Sequence, residues 1–576
     1  MQSDSTTVII KESRGKRIIE QSRMRMICVG FFFALCFMSI SFRMIDVAVI
    51  SNSRAMTVTF FNPDNEDESE QIELKKNTQP SMQRGDIVDR NGVLLATNLM
   101  TASVYAKPQE IRNPKETAKN LSPILAIDEQ SLLKLIDKNL AKNKKRTFVW
   151  IKRRLPPPEQ KRVNDLGITG IYLQPEEKRV YPYGNLLSHL LGYVDVDNKG
   201  LAGIERQYDS RLRESAINQS PLTLSIDIRL QSLLHEEISK AMAEFRAIGA
   251  TGIILDIESG ELLSVLSLPD FDPQKEAKPN NPNIFNRATM GTYEMGSTFK
   301  SFTMAMGLDY GVTSMKGGYD TTGPYRFLSL VINDDEPNNR FLTVPEIFAD
   351  SSNIGSAKMA IAVGAKRQKE FLGKLGMLKP LDIEFPEKAS PQFPQNWSDI
   401  SMATIAYGHG IAVTPLHLVA GIASLVNGGT VEHLTLIKDG NKNKAKGGRI
   451  ISRNTSENIR RLLRLVVTHG TGGNANIAGY HVGGKTGTAE KPKKEGGYDR
   501  QANLVSFIAT FPVDSPKYLM LVMLDEAKGN QATKNNRTAA WIAVPVVGKI
   551  ITRMAPMLGI KPRYNVPEDD AEKFWV

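Results

Sequence analysis

The stretch Glu294–Lys300 reads EMGSTFK, and the apolar run SFTMAMGL follows it directly. Residues three or four apart share one face of a helix, so a helix that begins here places Ser297 and Lys300 one turn apart. A serine hydroxyl is a poor nucleophile at neutral pH unless a base lies beside it. The pair therefore predicts an activated serine, although a helix-capping serine with a solvated lysine produces the same pattern.

Two further short motifs follow along the chain. Ser-Ser-Asn at 351–353 is predicted to lie at a turn or a helix start. Lys-Thr-Gly-Thr at 485–488 is predicted to lie on a strand whose small residues let a ligand approach the backbone. Ser-x-x-Lys, Ser-x-Asn and Lys-Thr-Gly in this order resemble the motif set of penicillin-binding proteins and class A β-lactamases. Each motif alone is common, whereas the three in order at domain-sized spacing are specific.

The resemblance extends over nearly the whole chain. RGDIVDRNGVLLATN, HLLGYV and GLAGIERQYD resemble the N-terminal pedestal of class B penicillin-binding proteins, and AYGHGIAVTPLHLV and HVGGKTGTAEKP resemble their transpeptidase domain. This resemblance implies an α+β fold in which an extended α+β pedestal precedes a serine β-lactamase-like domain. That domain is expected to be an antiparallel sheet flanked by helices. Asn353, YEMGSTFK and the total length favour the division-specific subtype (FtsI type, penicillin-binding protein 3). The elongation-specific subtype, with Asp at that position, is the main alternative.

The N-terminal segment is predicted to anchor the chain in a membrane. Residues 26–42 carry no charge. The length of this segment is near the lower end of the roughly 17–25 apolar residues that a helix needs to cross a bilayer. Basic residues precede this segment and acidic residues follow it, which places the N-terminus in the cytoplasm. No small-residue cleavage site follows, so we expect an uncleaved anchor. The other interpretation is a buried core helix.

Together with this anchor, the resemblance implies a single-pass protein of the bacterial inner membrane with its catalytic domain in the periplasm. Its segments are a cytoplasmic tail (1–25), a single transmembrane helix (26–50), a periplasmic pedestal resembling the penicillin-binding protein dimerisation domain (51–220), a transpeptidase domain (221–561) and a C-terminal tail (562–576).

Composition limits the possible partners. With 41% hydrophobic and 23% charged residues the chain is globular, and its net charge of +11 suits nucleic acid, an anionic membrane or an anionic substrate. No helix-turn-helix, zinc-finger or RNA-binding motif occurs, so nucleic acid is not expected. The two cysteines, Cys28 and Cys36, both lie in the apolar N-terminal segment. The remaining chain therefore has neither a disulfide nor a thiolate metal site.

The rest of the pattern predicts a support before the catalytic domain. Segment 84–96 predicts a strand, an Asn-Gly turn and a second strand, whereas 114–166 is helix-like and basic, with a charge that we interpret as a solvated face. From residue 222 a strand leads into an amphipathic helix that ends near Phe245. Segment 250–267 predicts a β-hairpin that turns at 258–260.

The resemblance implies acyl transfer from a stem peptide that ends in D-Ala-D-Ala. Ser297 attacks the penultimate D-Ala carbonyl, and an amine of a neighbouring strand resolves the acyl-enzyme into a 4→3 crosslink. Lys300 is the candidate base, because burial and the charge of Lys485 lower its pKa. Ser351 relays a proton to the leaving amine, and Asn353 holds both Lys300 and the substrate amide.

The third motif is expected to bind the substrate. The substrate-binding residues are Thr486, Gly487 and Thr488, and the terminal carboxylate is held by the two threonines together with Lys485. The backbone N–H groups of Ser297 and Thr488 are expected to stabilise the oxyanion.

Three remoter functions share parts of this pattern. Segment 479–486 fits the P-loop of an ATPase, but proline and glycines follow where a P-loop requires a helix. A class A β-lactamase needs a glutamate that activates water, and no Glu-x-x-x-Asn pattern lies between Asn353 and Lys485. A β-lactam sensor of known design carries His-Glu-x-x-His, which this chain lacks.

The resemblance also implies partners. They are peptidoglycan stem peptides, β-lactam antibiotics as covalent ligands, a glycosyltransferase of the SEDS class (FtsW) and other divisome proteins. Contacts with FtsW are expected through the transmembrane helix and the pedestal. No cofactor and no metal are expected.

Overall fold

The computed structural model describes residues 84–137, 147–218, 220–275, 281–440, 447–493 and 497–564, together with Met38. From residue 84 onward the described residues belong to one compact unit. The predicted cytoplasmic tail (1–25) and transmembrane anchor (26–50) lie outside the described residues, apart from Met38. Within the ranges described, no helix has the length and apolar character needed to cross a membrane.

The pedestal is organised around one strand of 13 residues that pairs with three others in the antiparallel sense. Its strands are β1 (Ile87–Val88), β2 (Leu94–Ala106), β3 (Val149–Leu155) and β4 (Ile171–Val180), with β2 at the centre. Its helices are α1 (Pro114–Leu125), α2 (Glu129–Ile136), α3 (Pro157–Asp165), α4 (Ser188–Leu191), α5 (Gly203–Gln207) and α6 (Asp209–Asn218).

The structure corrects the helix-like interpretation of 114–166. Helices α1 to α3 lie within this segment, but β3 is a strand between α2 and α3. Val149 and Ile151 are buried and alternate with the exposed Trp150, which is the period of a strand, and these side chains have high β-propensity. The cluster of basic residues masked this short alternation.

The basic residues of β3 are also not a solvated face. Lys152 Nζ donates a hydrogen bond to Leu125 O at 2.9 Å. Arg153 forms ion pairs with Glu176 and, at 2.9 Å, with Asp197. These cations therefore tie the strand to its neighbours in the pedestal.

A buried ion cluster closes the start of the pedestal. Glu205 is fully buried, and its carboxylate pairs with the guanidinium groups of Arg84 and Arg179. The Arg179 pair measures 2.7 Å, and Arg84 also pairs with Asp209 at 2.6 Å. Each charge has a partner, which burial of ionised groups requires.

The strands after β4 are β5 (Leu222–Thr223), β6 (Gly249–Asp256), β7 (Leu262–Leu268), β8 (Tyr293–Glu294), β9 (Gly318–Asp320), β10 (Tyr325–Phe327), β11 (Leu330–Ile332), β12 (Phe341–Thr343), β13 (Ala412–Val413), β14 (Gly483–Pro492), β15 (Tyr498–Phe511) and β16 (Tyr518–Asp525). Five of them form the antiparallel sheet of the second domain, in the order β14–β15–β16–β6–β7.

Helices cover both faces of this sheet. They are α7 (Ile228–Glu244), α8 (Lys300–Asp309), α9 (Val344–Ala349), α10 (Asn353–Val363), α11 (Ala365–Lys374), α12 (Asp399–Ile405), α13 (Pro415–Val426), α14 (Arg453–Thr468) and α15 (Ala543–Met557).

The central strand β16 shows why the sheet is covered on both sides. Leu519, Leu521 and Met523 belong to the core that contains residues of α8, α13 and α14. Met520 and Val522 belong to the core that contains residues of α7 and α15. A strand alternates its side chains between two faces, so a continuous apolar run needs a layer on each.

Several predicted elements are confirmed. Strands β1 and β2 flank the Asn-Gly turn, β6 and β7 form the predicted hairpin, and α7 ends next to Phe245. The α+β fold with an antiparallel sheet flanked by helices is likewise confirmed. Strand β14 lies at the edge of the sheet and carries the third motif.

Candidate active site

Ser297 lies on the single 3-10 turn Gly296–Phe299, which continues directly into α8. Gly296 has a φ of +54°, in the left-handed region that favours glycine. A Cβ atom on Gly296 would lie 2.8 Å from the backbone oxygen of Thr488 on β14. The glycine therefore lets the serine turn pack against the edge strand, and the predicted helix start is confirmed.

Lys300 is fully buried at the start of α8. Its Nζ donates two hydrogen bonds to Ser351, one to Oγ at 3.0 Å and one to the backbone oxygen. Burial lowers the pKa of Lys300 to about 7, against the opposing charges of Asp334 and Asp335. A lysine in this state exchanges protons near neutral pH, which suits a general base.

Lys485 reaches the same point from β14 and is also fully buried. Its Nζ donates to Ser351 Oγ at 3.0 Å and contacts the ring of Phe348, whose centroid is 5.6 Å away. Burial and the positive charge of Lys300 hold the pKa of Lys485 well below its ordinary value. Burial is the main cause of the lowered pKa of Lys300. The repulsion between the two neighbouring ammonium groups belongs to the pair, so the predicted effect of Lys485 on Lys300 stays a prediction.

Ser351 connects the two lysines. It lies in the turn between α9 and α10 with a φ of +60°, which is uncommon for a residue with a Cβ. Because Ser351 Oγ accepts a hydrogen bond from each lysine, its own proton remains available for a third group. The residue predicted to relay a proton therefore lies between two lysines.

The side chain of Asn353 forms a different hydrogen bond from the one predicted. It begins α10, as the motif suggested, but its Nδ2 donates to Asn333 O at 3.0 Å. Among the hydrogen bonds of the described residues, Lys300 is held by Ser351 and not by Asn353. The predicted contact of Asn353 with the substrate amide stays a prediction.

Asp334 is a residue that the sequence did not reveal. One of its carboxylate oxygens accepts from the backbone N–H groups of Asn353 and Ile354 at 2.5 and 2.9 Å. The other accepts from Ser352 Oγ at 2.7 Å, while Ser352 itself caps α10. A carboxylate at a helix N-terminus is stabilised by the positive end of the helix dipole. No motif marks Asp334, since it follows a separate hairpin and meets the second motif only in three dimensions.

The remaining motif residues lie along β14. Thr486 Oγ1 forms a hydrogen bond with Thr471 Oγ1 at 2.7 Å, and Thr488 Oγ1 accepts from Ala539 N at 3.2 Å. A Cβ atom on Gly487 would lie 2.8 Å from Met295 O. Glycine is thus required where β14 passes the serine turn.

The P-loop interpretation does not agree with the local structure. Residues 483–492 form one strand, so β14 continues through Thr486 where a P-loop would begin a helix.

Within the described ranges, no group of three or more His, Cys, Asp or Glu side chains is arranged to hold a metal ion.

Two family models match the chain. Residues 79–217 match the penicillin-binding protein dimerisation domain, and residues 250–547 match the penicillin-binding protein transpeptidase domain. The two matched domains follow the same order along the chain as the two parts of the fold. Strand β2 of the pedestal lies in the first match, and the five-stranded sheet lies in the second.

Three curated proteins are similar over most of their length. The probable peptidoglycan D,D-transpeptidase FtsI of Caulobacter vibrioides is 39% identical over 487 residues, which cover 83% of this chain and 82% of that protein. Stage V sporulation protein D of Bacillus subtilis is 31% identical, covering 84% and 79% respectively. The peptidoglycan D,D-transpeptidase FtsI of Escherichia coli K12 is 28% identical, covering 84% and 85%.

Solved structures share the fold. A peptidoglycan synthetase from Bifidobacterium adolescentis superposes with a TM-score of 0.65 at 20% identity, covering 85% of this chain and 97% of that one. Penicillin binding protein 3 from Mycobacterium tuberculosis, complexed with aztreonam, gives 0.64 at 21% identity, covering 84% and 97%. With a dimerisation domain followed by a transpeptidase domain, the chain belongs to the class B penicillin-binding proteins.

Proposed function

We propose that this chain is a division-specific peptidoglycan D,D-transpeptidase that acts through an acyl-enzyme on Ser297. The observation that carries this proposal is the meeting of Lys300 and Lys485 at Ser351 Oγ, beside the turn that holds Ser297. The FtsI relatives of Caulobacter and Escherichia support the division subtype. The elongation-specific subtype has no better support.

Acylation begins with attack of Ser297 Oγ on the carbonyl carbon of the penultimate D-Ala. The C–O bond to the serine forms and the C–N bond to the terminal D-Ala breaks. Neutral Lys300 accepts the serine proton, and Ser351, which is hydrogen-bonded to it, passes a proton to the departing amine. A pKa of about 7 leaves a substantial fraction of Lys300 neutral at physiological pH.

Lys485 and the threonines of β14 are proposed to bind the terminal carboxylate. An approaching negative charge favours the protonated form of a lysine, so substrate binding raises the depressed pKa of Lys485. The backbone N–H groups of Ser297 and Thr488 are proposed to stabilise the oxyanion.

Two nucleophiles can resolve the acyl-enzyme. An amine of a second stem peptide forms the 4→3 crosslink, whereas water releases a shortened peptide. We therefore also propose a secondary activity of the serine-type D-Ala-D-Ala carboxypeptidase class. A β-lactam acylates Ser297 in the same way, but its opened ring stays attached and blocks both nucleophiles.

We further propose that the apolar segment 26–42 anchors the protein in the bacterial inner membrane, with the N-terminus in the cytoplasm. The charge asymmetry around this segment supports that orientation. FtsW, of the SEDS glycosyltransferases, and other divisome proteins are the proposed partners, because the FtsI relatives support a role in cell division.

Depletion of the protein from a rod-shaped host tests the subtype. We expect filaments with blocked septa, rescued by the wild-type chain and not by Ser297→Ala. Rounded cells would contradict the division subtype and support elongation.

A further inference from the structure

Thr471 lies outside the three motifs but contacts the third of them. Its Oγ1 is hydrogen-bonded to Thr486 Oγ1 at 2.7 Å, and Thr486 is only 7% exposed. Thr471 belongs to the loop 469–472, which follows α14. Because Thr486 is one of the residues proposed to bind the terminal carboxylate of the donor peptide, this contact reaches the substrate site from outside the motifs.

The backbone of this loop fixes the place of Thr471. Gly472 N donates a hydrogen bond to Val466 O of α14 at 2.8 Å. A Cβ atom on Gly470 would lie 2.6 Å from the backbone oxygen of Ala349, the last residue of α9. The loop is therefore held by α14 on one side and packed against α9 on the other. It carries the Thr471 hydroxyl to β14 from a fixed position.

The two threonines of β14 have parallel hydrogen bonds. They lie two residues apart, so their side chains point to the same face of the strand. Thr488 Oγ1 accepts a hydrogen bond from Ala539 N at 3.2 Å. The partner that the described residues provide for Thr486 Oγ1 is the Thr471 hydroxyl. Each threonine thus has one partner in the protein and faces the same ligand.

The substrate determines the direction of the bond between the two hydroxyl groups. A hydroxyl group has one proton to donate, and an ionised carboxylate can only accept. When the carboxylate binds, Thr486 must donate its proton to it, and Thr471 must donate to Thr486 Oγ1. Thr471 then does for Thr486 what the N–H group of Ala539 does for Thr488.

A chain of donors of this kind is stronger than its separate bonds. A hydroxyl group that accepts a hydrogen bond becomes a better donor, and a hydrogen bond to an ionised acceptor is stronger than one to a neutral acceptor. The contact also holds the Thr486 side chain in one orientation before the substrate arrives, which lowers the entropy cost of binding. Loss of the Thr471 hydroxyl should therefore weaken binding of a ligand that carries a carboxylate at this point.

We propose that Thr471 is a positioning residue for the terminal carboxylate of the donor peptide, acting through the hydroxyl group of Thr486. This inference rests on the proposed function and adds to it a residue outside the three motifs. The expected effect is selective, because it concerns recognition of the carboxylate and leaves the attack by Ser297 intact.

The test compares two thioester donors on the full-length chain, N-benzoyl-D-alanyl thioglycolate and the S-ethyl thioester of N-benzoyl-D-alanine. In the second donor a methyl group replaces the carboxylate. Acylation of Ser297 breaks the C–S bond and releases a thiol, whose appearance gives kcat/KM for each donor. In Thr471→Val we expect kcat/KM to fall about tenfold for the carboxylate donor and to stay unchanged for the ethyl donor.

Further variants assign the effect to the hydroxyl group. Thr471→Ser keeps the hydroxyl and should retain the wild-type ratio of the two donors. Thr468→Val removes a hydroxyl from the end of α14 that bonds to Arg464 O and to the adjacent His469, and it should change neither donor. The double variant Thr471→Val/Thr486→Val should lose no more than Thr486→Val alone, since the first residue acts through the second.

Three results would overturn the proposal. An equal loss for both donors in Thr471→Val would show a purely structural role. An unchanged kcat/KM for the carboxylate donor would show no role at all. Additive losses in the double variant would contradict action through Thr486. Should Thr471→Val fail to fold, as judged from its thermal unfolding midpoint, Thr471→Ala carries the test.

Penicillin labelling separates this inference from the proposed function. A wild-type chain that penicillin does not label contradicts the proposed function. A labelled wild type, together with Thr471 variants that treat the two donors as the wild type does, contradicts only the role of Thr471.

Discussion

Lys300 and Lys485 donate hydrogen bonds to one and the same atom, Ser351 Oγ, and each Nζ lies 3.0 Å from it. Both side chains are fully buried. Two ammonium groups on one acceptor in a low-dielectric site repel each other, so the pair cannot both hold a proton at low cost. The fold therefore supplies a neutral amine near Ser297.

The rate of acylation by penicillin should depend on pH through Lys300. Its pKa is lowered from 10.5 to about 7, so the neutral, basic form is gained as pH rises through 7. Below that value the second-order rate constant should rise about tenfold per pH unit and then level off. Stopped-flow labelling with fluorescent penicillin between about pH 5 and 9 measures this. A rate that keeps rising through the whole range would contradict a lowered pKa.

Asp334→Ala should weaken both the fold and the site. It removes three hydrogen bonds at the start of α10, from Ser352 Oγ and from the N–H groups of Asn353 and Ile354. We expect a loss of about 2 kcal/mol in the free energy of unfolding, since charged caps and orphaned donors cost about 1–3 kcal/mol. Denaturant unfolding measures the loss, and acylation should slow because Ser351 precedes this cap.

The neighbouring Asp335 provides the control for that variant. Asp335 is exposed, and like Asp334 its charge raises the pKa of Lys300. Asp335→Ala should move the acid limb of the pH profile to lower pH without measurable loss of stability. Equal unfolding curves for the two alanine variants would show that Asp334 does not stabilise the second motif.

Glu205→Ala should destabilise the pedestal strongly. The substitution leaves the buried guanidinium of Arg179 without its carboxylate and removes one of the partners of Arg84. Breaking a buried pair on one side costs about 3–5 kcal/mol. Arg213→Ala, at a partly exposed ion pair with Asp209, should cost less than about 1 kcal/mol. Urea unfolding of both proteins checks the contrast, and similar midpoints would contradict it.

The sequence was most informative where short-range chemistry determines the structure. The order of the three motifs, the glycines at 296 and 487 and the hairpin β6–β7 follow from local pattern. The structure brings Lys300, Ser351 and Lys485 of the three motifs together. Asp334 was not identified from the sequence, because its importance arises from its contacts with the second motif, which the fold brings to it. Strand β3 was missed since its basic residues concealed the alternation of Val149 and Ile151.

The central claim is that Ser297 is the acylated nucleophile. Its direct test is peptide mapping by mass spectrometry after incubation of the full-length chain with benzylpenicillin. The adduct should lie on Ser297, be absent from Ser297→Ala and persist in Ser314→Ala, a control at an exposed serine of the same domain. An adduct on another residue, or one that survives in Ser297→Ala, would contradict the account.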